Sequence, residues 1–433
     1  MTHTLRECDV LVVGAGPAGM SAAARAAESG ARAIVADEGV APGGQIWRPA
    51  LRSSSPVVAQ RWAARLAGSG AVVLRSTSIV ELRRGANDGW LALAESNDGG
   101  FQIAARSIVL ATGARERFLP FPGWTLPNVV GIGGAQALLK SGMSVRGRRV
   151  VIAGTGPLIF PVAASLARAG AMLVVVAEQA PRHKVLRFAA GLWRSPALLA
   201  RAAAYRAAFL RTPYATGTWV VAAHGEPAVQ SVTITDGAST RAIECDLLCA
   251  AFGLVPNVEL ARLAGCDVAE GRVIVDARQA TSMAGLYCAG EPTGIGGVDL
   301  SLAEGEIAGL AAAGRQADAA LLGRASALRR HAAAIDEAFA LRAEVKALAK
   351  PDTIVCRCED VRMRELDPRW SARQAKLYTR AGMGACQGRI CGSALECVMG
   401  WPADSVRPPT QPVRVSTFLQ DIQSAQSLPH GAH

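Results

Sequence analysis

A glycine loop follows the first apolar run of this 433-residue chain. Val10 to Val13 is apolar throughout, as in a strand buried on both faces of a parallel sheet, and it leads into the loop Gly14-Ala15-Gly16-Pro17-Ala18-Gly19. An alanine-rich helix is predicted from this loop to about Ser29. A second strand, Ala33 to Ala36, is followed by an acid at Asp37. Strand, glycine loop, helix, strand and acid together form the fingerprint of a dinucleotide-binding unit.

Each residue type in this fingerprint has a physical role. The glycines let a pyrophosphate lie against the backbone N–H groups at the N-terminus of the helix. Asp37 can accept hydrogen bonds from an adenosine ribose. A glycine turn that binds no ligand is the simpler alternative, but the position of the loop between a strand and a helix favours a dinucleotide. The candidate site comprises Gly14, Gly16, Pro17, Ala18, Gly19, Asp37 and Glu38.

A second unit of this kind is predicted in the middle of the chain. Arg149 to Ala153 is predicted as a strand, Gly154-Thr155-Gly156 as its turn, and a further strand ends at Glu178. Ile159 replaces the third glycine, and Pro161 removes an N–H just after the first helical turn. Both changes work against pyrophosphate binding. If this site functions, Glu178 would disfavour a 2′-phosphate, so NAD would be preferred to NADP.

Four cysteines near the C-terminus have the spacing of a metal centre. They occur as Cys356-x-Cys358 and, further along, Cys386-x4-Cys391. This spacing alone is compatible with zinc and with an iron-sulfur cluster. The neighbouring residues favour iron, because glycines let backbone N–H groups approach the sulfurs and because Arg357 and Arg389 can offset the thiolate charge. The other six cysteines are expected to be core thiols: Cys8, Cys245, Cys249, Cys266, Cys288 and Cys397.

The composition limits the classes of function. The net charge is +11, but the chain has no run of five or six basic residues, so we expect a solvated basic surface and no nucleic-acid binding. The N-terminus has no signal-peptide pattern, which predicts a cytoplasmic protein, with peripheral membrane contact as an alternative. Val150 to Ala167 is uncharged, but glycines and prolines interrupt it, and no transmembrane segment is predicted.

Three further segments resemble motifs of the two-dinucleotide-binding-domain flavoproteins, the relatives of thioredoxin reductase and glutathione reductase. Pro42-Gly43-Gly44-Gln45 resembles the loop beside the flavin, and Gly285 to Glu291 resembles the second FAD motif, with Glu291 where the family usually has Asp. Ala111-Thr112-Gly113 is the third match. The resemblance implies an α/β fold in which a Rossmann-like FAD domain carries an inserted NAD-type domain. It extends the FAD site to Gly44, Gln45, Ala111, Thr112, Gly113, Gly290 and Glu291.

The cysteine segment carries its own resemblance. Thr379 to Cys391, together with Cys356 to Glu359, resembles the bacterioferritin-associated-ferredoxin-like [2Fe-2S] domain of certain amino-acid and opine dehydrogenase subunits. The resemblance implies that Cys356, Cys358, Cys386 and Cys391 bind a [2Fe-2S] cluster. Four residues separate the last two cysteines where many small relatives have two, which preserves the number of ligands but alters their geometry.

With Pro122 to Pro127, Gly296-Gly297 and Glu304-Gly305, these motifs resemble the FAD-containing α-type subunit of heteromeric dye-linked dehydrogenases. That group includes octopine and nopaline oxidases, D-hydroxyproline dehydrogenase and hydrogen cyanide synthase. The resemblance implies an electron-transferring subunit of an enzyme that oxidises the C–N bond of an amino acid, imino acid or opine. Its implied partners are a substrate-oxidising β subunit that bears FAD and, as a further option, a small ferredoxin-like subunit. Some members of the group hold FMN at a subunit interface.

Two other functions stay open from the sequence. One is a stand-alone NAD(P)H-dependent flavin and iron-sulfur reductase, and the other is a non-catalytic assembly subunit. No set of substrate-binding groups or catalytic histidines is evident in the sequence, which favours substrate oxidation in a partner chain. The expected domains are an FAD domain (1–125 and 246–330), an NAD-like domain (126–245), a helical linker (331–350), the [2Fe-2S] domain (351–401) and an extended tail (402–433).

Two local expectations concern helices. Residues 181–212 are predicted to be helical, with Trp193 and Phe209 as packing aromatics. A helix that follows Glu304-Gly305-Glu306 is expected to point its N-terminus, the positive end of its dipole, at the flavin.

Overall fold

The computed structural model describes residues 5–47, 56–85, 88–402 and 406–419. The chain forms two compact units, each with its own parallel strands. The first unit comprises Met1–Arg115, Pro256–Ala332 and Ser405–His433, and the second comprises Glu116–Val255 and Ala333–Asp404. The chain therefore passes from the first unit to the second twice, and each time it returns to the first.

The elements are numbered in chain order. The helices are α1 (Pro17–Glu28), α2 (Val57–Gly68), α3 (Ile132–Lys140), α4 (Ile159–Arg168), α5 (Arg182–Gly191), α6 (Pro196–Ala207), α7 (Glu259–Leu263), α8 (Gly297–Ala312), α9 (Ala319–Ala338), α10 (Ala343–Lys346), α11 (Ala372–Thr379) and α12 (Cys391–Met399). The strands are β1 (Leu5–Val13), β2 (Ala33–Ala36), β3 (Val72–Leu74), β4 (Ser78–Arg84), β5 (Trp90–Ser96), β6 (Gly99–Leu110), β7 (Ala114–Glu116), β8 (Val129–Gly131), β9 (Arg149–Gly154), β10 (Met172–Glu178), β11 (Tyr214–Thr216), β12 (Trp219–His224), β13 (Ser231–Thr235), β14 (Thr240–Glu244), β15 (Leu247–Ala251), β16 (Leu254–Pro256), β17 (Val268–Ala269), β18 (Arg272–Val273), β19 (Leu286–Cys288), β20 (Ile354–Cys356) and β21 (Val361–Arg362). Single 3₁₀ turns occur at Leu192–Arg194, Glu291–Thr293 and Met363–Glu365.

The main sheet of the first unit has the order β3-β2-β1-β6-β5-β4, and β19 also pairs with β6. β1 lies between β2 and β6 and is parallel to both, so its end from Val10 to Val13 is buried on both faces. The long strand β6 joins two kinds of pairing, since it is antiparallel to β5 and parallel to β1 and β19. The carboxyl ends of β1, β2, β6 and β19 consequently lie at one edge of the sheet, where an open α/β fold binds its ligand.

Helix α8 packs on α1 at very short range. A Cβ on Gly305 would lie 2.1 Å from the Ala18 carbonyl oxygen, and a Cβ on Gly309 would lie 2.1 Å from that of Ala22. The Ser21 hydroxyl donates to the Leu302 carbonyl oxygen over 3.0 Å. Glycine is required at both α8 positions because any side chain would force the two helices apart.

The second unit is built on a parallel sheet in the order β11-β10-β9-β15-β8. Helix α4 packs on one face of this sheet through buried residues that include Ile159 and Val162. A small antiparallel sheet, β12-β13-β14, contributes to the core on the other side with Trp219 and Val232. This arrangement repeats the strand, glycine turn, helix and strand order of the first unit.

The cysteine module, residues 351–401, also belongs to the second unit. Its own small core includes Val355, Cys356, Cys391 and Trp401. It contacts the rest of the unit where the Trp124 indole N–H donates to the Ile354 carbonyl oxygen over 2.6 Å.

The predicted strands and helices around both glycine turns are confirmed, with β2 observed at Ala33–Ala36. Residues 181–212 are largely helical as predicted, and Phe209 is buried, but the expectation for Trp193 is wrong because its side chain is 68% exposed. The helix associated with Glu304 starts earlier than that motif, at Gly297, so Glu304 and Glu306 lie inside it and are buried.

Of the remaining six cysteines, five are buried as predicted and Cys397 is partly buried. Over residues 5–47, 56–85, 88–402 and 406–419, no helix combines the length and apolar character needed to cross a bilayer. The predicted tail from residue 402 falls partly outside the described residues.

Candidate functional site

The first glycine loop lets β1, α1 and the end of β6 pack more closely than a residue with a side chain would allow. Gly14 has φ +98°, and a Cβ there would lie 2.4 Å from the Ala111 carbonyl oxygen. A Cβ on Gly19 would lie 1.7 Å from the carbonyl oxygen of Gly14. These two glycines therefore serve the packing of helix on strand, a role separate from any ligand.

Gly16 differs from its neighbours because the protein does not fill the space beside it. A Cβ on Gly16 would meet no atom nearer than the Gly44 Cα, at 4.0 Å. The loop carrying Gly44 is held in place by the Gly43 N–H, which donates to the Ala15 carbonyl oxygen over 2.7 Å. Helix α1 has Pro17 at its start, no side-chain cap and no acid in its first turn. A helix N-terminus of this kind suits a phosphate group.

Asp37 is attached to the loop from the end of β2. Its carboxylate accepts hydrogen bonds from the Ala15 N–H over 2.5 Å and from the Gly39 N–H over 2.7 Å. The side chain stays partly exposed beside the loop, whereas Glu38 and Gln45 are exposed. Asp37 is thus positioned by the backbone while remaining accessible to a ligand.

Asn257 holds the Ala111-Thr112-Gly113 strand end. Its backbone N–H donates to the Gly113 carbonyl oxygen over 3.0 Å, and its side-chain amide donates to that of Thr112 over 2.9 Å. The Thr112 hydroxyl donates in return to the Asn257 carbonyl oxygen over 2.6 Å. The sequence reasoning missed Asn257, which lies far away in the chain and belongs to none of the motifs.

The second FAD motif is organised by a buried acid inside α8. Glu304 is 1% exposed and accepts hydrogen bonds from the Gly290 N–H over 2.9 Å and from the Thr293 hydroxyl over 3.0 Å. Burial raises the pKa of Glu304, and its ion pair with Arg329 at 2.9 Å opposes that rise. Glu291 accepts a hydrogen bond from the Gly297 N–H, the first residue of α8, over 3.1 Å.

Most of the predicted FAD-site residues therefore converge on one edge of the first sheet. Gly290 belongs to the same cluster, since a Cβ on it would lie 2.8 Å from the Ala18 Cβ. The glycine turns, the strand ends and Asp37 surround the space beside Gly16. The residues present fit a dinucleotide, because that space would be reduced by a Cβ on either Gly16 or Gly44.

The second glycine turn is closed by its own unit. The Thr155 N–H donates to the Ala251 carbonyl oxygen over 2.7 Å, and the Gly156 N–H donates to the Glu178 carboxylate over 2.9 Å. The same carboxylate accepts from the Ala180 N–H over 2.9 Å. Glu178 is 0% exposed, and burial raises its pKa to about 7 although these N–H donors oppose the rise. A buried carboxylate thus holds a loop N–H that a pyrophosphate would need.

The structure corrects one part of the argument about the second turn. Helix α4 begins at Ile159, so Pro161 lies inside the first helical turn. An N–H at that position has no partner within the helix in any case, so Pro161 breaks no helical hydrogen bond. Ile159 is 0% exposed and forms part of the core between the sheet and α4.

The four C-terminal cysteines meet as two pairs. A side-chain hydrogen bond joins Cys356 to Cys391, which lowers the pKa of Cys356 and raises the pKa of Cys391. A second side-chain hydrogen bond joins Cys358 to Cys386. The Gly382 N–H donates to the Cys356 sulfur over 3.4 Å. Within the described part of the chain, no group of three or more His, Cys, Asp or Glu side chains is arranged to hold a metal ion.

Gly384 lies close to the cysteine pairs. A Cβ on Gly384 would lie 2.3 Å from the Cys358 Cβ. Glycine therefore allows the backbone of the second cysteine segment to approach the first.

Comparison with known proteins agrees with this geometry. The pyridine nucleotide-disulphide oxidoreductase family model matches residues 8–317, and the chain belongs to that family. It is 32% identical to an opine oxidase subunit of Agrobacterium tumefaciens, over 97% of this chain and 93% of that protein. It is 30% identical to hydrogen cyanide synthase subunit HcnB of Pseudomonas protegens, over 92% of each. The chain is therefore an oxidoreductase subunit of the group that contains these proteins.

The fold has a counterpart among solved structures. L-proline dehydrogenase from P. horikoshii aligns with a TM-score of 0.67 over 96% of this chain and 81% of that chain, at 18% sequence identity. The predicted Rossmann-like flavoprotein fold is confirmed, and so is the predicted relationship to opine oxidase and hydrogen cyanide synthase subunits.

Proposed function

We propose that this chain is the electron-transferring FAD and [2Fe-2S] subunit of a multisubunit dehydrogenase that oxidises the C–N bond of an amino acid, imino acid or opine. The observation that carries the proposal is the contrast between the two glycine turns. The first leaves space at Gly16 beside an accessible Asp37, whereas the second holds its Gly156 N–H on the buried carboxylate of Glu178. A chain that binds FAD but no pyridine nucleotide must obtain its electrons from a source other than NAD(P)H, and the sequence has no evident set of substrate-binding groups, which favours a partner protein.

FAD is the proposed ligand of the first turn. The pyrophosphate would lie at the start of α1 beside Gly16, with Asp37 near the ribose and Glu291 near the ribityl or phosphate region. A bound flavin accepts electrons in pairs and releases them singly. The chain's own residues bind and orient it, with Asn257 holding the Thr112 strand end and Glu304 holding Gly290.

The residues around the four cysteines favour a [2Fe-2S] cluster over a single zinc ion. A [2Fe-2S] cluster has four thiolate ligands, and Cys356, Cys358, Cys386 and Cys391 supply that number, with Arg357 and Arg389 nearby in the sequence to offset their charge. The Gly382 N–H on the Cys356 sulfur is the kind of hydrogen bond that adjusts the potential of such a cluster. Zinc would instead gather the four thiolates around one centre.

We propose that the partner is a β subunit that bears FAD and removes hydride from the substrate, with FMN at the interface of the two subunits. A small ferredoxin-like subunit is a further proposed partner. Several relatives are themselves subunits of larger enzymes, among them those of opine oxidase and sarcosine oxidase, which supports a heteromeric complex. We place the complex in the cytoplasm, with the basic surface available for an acidic partner or an anionic membrane.

The competing function is an NAD(P)H-dependent reductase, which the family match favours. The two functions differ in the source of electrons. We expect anaerobic NADH or NADPH to leave the flavin of the purified chain oxidised, because the second turn cannot accept a pyrophosphate while Glu178 holds it. Co-expression with its FAD-bearing β subunit should produce amine-dependent reduction of an artificial dye. Rapid loss of the flavin absorbance on mixing with NADH would contradict the proposal and favour the reductase.

A further inference from the structure

We infer that the second nucleotide site binds a segment of its own chain in place of a nucleotide. The segment is Phe339–Arg342, here called the linker segment, which follows α9 and leads towards the cysteine module. Its hydrogen-bond and ring partners lie inside the second unit. The inference goes beyond the proposed function, since it concerns what fills this site whether or not the chain carries a cluster.

The linker segment lies where a nucleotide would be expected. In open α/β sheets, ligands bind outside the carboxyl ends of the strands at the point where the strand order reverses. In the second unit the strand order reverses at β9, which lies between β10 and β15 in the sheet. Thr155 directly follows β9, and Gln179 directly follows β10. Both of these side chains contact the linker segment.

Hydrogen bonds attach the backbone of the segment to these strand ends. The Thr155 hydroxyl donates to the Phe339 carbonyl oxygen over 3.0 Å. The Gln179 side-chain N–H donates to the Ala340 carbonyl oxygen over 3.1 Å, and its side-chain oxygen accepts from the Arg342 N–H over 3.0 Å. Gln179 also donates to the Thr155 hydroxyl over 2.9 Å, so the two residues act together.

Gln179 is 0% exposed, and both ends of its amide are used. A buried amide satisfied in this way disfavours any rearrangement that leaves it without partners. The cost of removing the segment would therefore include the desolvated Gln179 amide as well as the lost bonds. Thr155 and Gln179 are positioning residues for the linker segment.

Side chains of the segment are anchored on both sides. The Phe339 ring packs edge-on against Phe188 of α5, with 5.3 Å between ring centroids. The Arg342 guanidinium lies over the Trp219 ring at 4.5 Å and pairs with Glu344 at 2.8 Å. Helix α10 and the cysteine module follow directly, so the anchoring also fixes the start of the path to the four thiols.

The loop itself is closed independently of the segment. Glu178 accepts from the Gly156 N–H and so places its carboxyl group where a pyrophosphate would lie. The nucleotide and the present arrangement exclude each other, because both need the Gly156 N–H and the space beside Thr155 and Gln179. Thr155 and Gln179, which lie where a nucleotide would be expected to bind, instead hold the linker segment that leads to the cysteine module.

The test measures amide hydrogen exchange in the full-length holoprotein, over peptides that cover residues 338–346. In the wild type we expect the Arg342 amide to be protected and to stay protected in millimolar NADH or AMP. Gln179→Ala should increase exchange across the segment by about tenfold or more, because the two hydrogen bonds between the Gln179 side chain and the segment are lost. Thr155→Val should produce a smaller increase.

Thr218→Val is the matched control, since Thr218 is buried in the same unit and its hydroxyl donates to the nearby Thr216 carbonyl oxygen over 3.4 Å. It should leave exchange in the segment unchanged. Faster exchange in the wild type on addition of NADH or AMP would overturn the inference, as would saturable binding of either nucleotide by calorimetry. Both of these measurements are made on the wild-type protein and require no variant. Unchanged exchange in a folded Gln179→Ala protein would also overturn it.

Discussion

The two glycine turns share a fold and differ in what their acids do. Asp37 bonds the second residue of its turn, Ala15, and stays partly exposed, whereas Glu178 bonds the third residue of its turn, Gly156, and is fully buried. Glutamate is longer than aspartate by one methylene, so its carboxylate reaches one residue further along the turn. That added reach places the charge on the N–H that a pyrophosphate requires. Similar sequence patterns therefore produce one accessible site and one closed site.

The largest expected effect comes from Gly16→Val. The protein leaves space beside Gly16, so the variant should fold, but its side chain would occupy the path of the pyrophosphate and abolish FAD binding. Flavin absorbance of the purified protein measures the result. Gly68→Val is the control, because a Cβ there meets no atom within 4 Å, and it should retain its flavin. A normal flavin content in Gly16→Val would show that the ligand lies elsewhere.

Cysteine variants separate the two units. Cys386→Ser should remove the iron, about two atoms per chain in the wild type, while FAD content stays normal because the FAD site belongs to the other unit. Iron and acid-labile sulfide are measured together with flavin. Cys397→Ser is the matched control, since Cys397 lies outside the two cysteine pairs, and it should keep its iron. Zinc without sulfide in the wild type would refute the cluster.

Replacement of the two acids tests the comparison directly. Asp37→Ala should weaken FAD binding by about 1–3 kcal/mol, the free energy of a lost charge-assisted hydrogen bond. Glu178→Ala should leave FAD affinity unchanged, because Glu178 belongs to the second unit. Titration of the apoprotein with FAD gives both values. Equal losses in the two variants would mean that the turns are not independent.

The last expected effect is on stability alone. Burial raises the pKa of Glu178 from 4.5 to about 7, so between these pH values the native state holds a proton that the unfolded chain releases. The contribution of Glu178 to stability is therefore most favourable below about pH 4.5 and falls as pH rises to about 7, by on the order of 3 kcal/mol. Glu178→Gln should remove this part of the pH dependence. Thermal unfolding midpoints at several pH values measure it, and parallel curves for wild type and variant would contradict the prediction.

Local pattern predicted much of the fold. The apolar run before Gly14 and the strand Ala33–Ala36 were found where expected, because a buried parallel strand between two loops has a clear signature. The start of α4 was harder to predict, since Pro161 is compatible with a helix interior break and with a first turn. Trp193 was expected to pack and is exposed, because helical periodicity does not identify which face another element covers.

The contacts missed by the sequence reasoning act over long distances in the chain. Asn257 holds Thr112 and Glu304 holds Gly290, yet neither motif contains the residue that positions it. The linker segment has no local sequence signature, because its partners are distant in the chain. Thr155 is 184 residues from Phe339, and Gln179 is 161 residues from Ala340. The spacing of the four cysteines predicted that their thiols would lie near one another. It did not predict which cysteine would pair with which.

The close fit of α8 on α1 also bears on how the chain acquires its fold during synthesis. Ser21 bonds Leu302 across 281 residues, so the first unit cannot be completed until α8 has left the ribosome. At typical translation speeds this interval is about 15–55 s. The inserted strands β8 to β15 emerge during that wait and have their own sheet partners. The parallel sheet of the second unit can therefore form while the first unit still waits for α8, although residues 333–404 of the second unit and 405–433 of the first are synthesised later still.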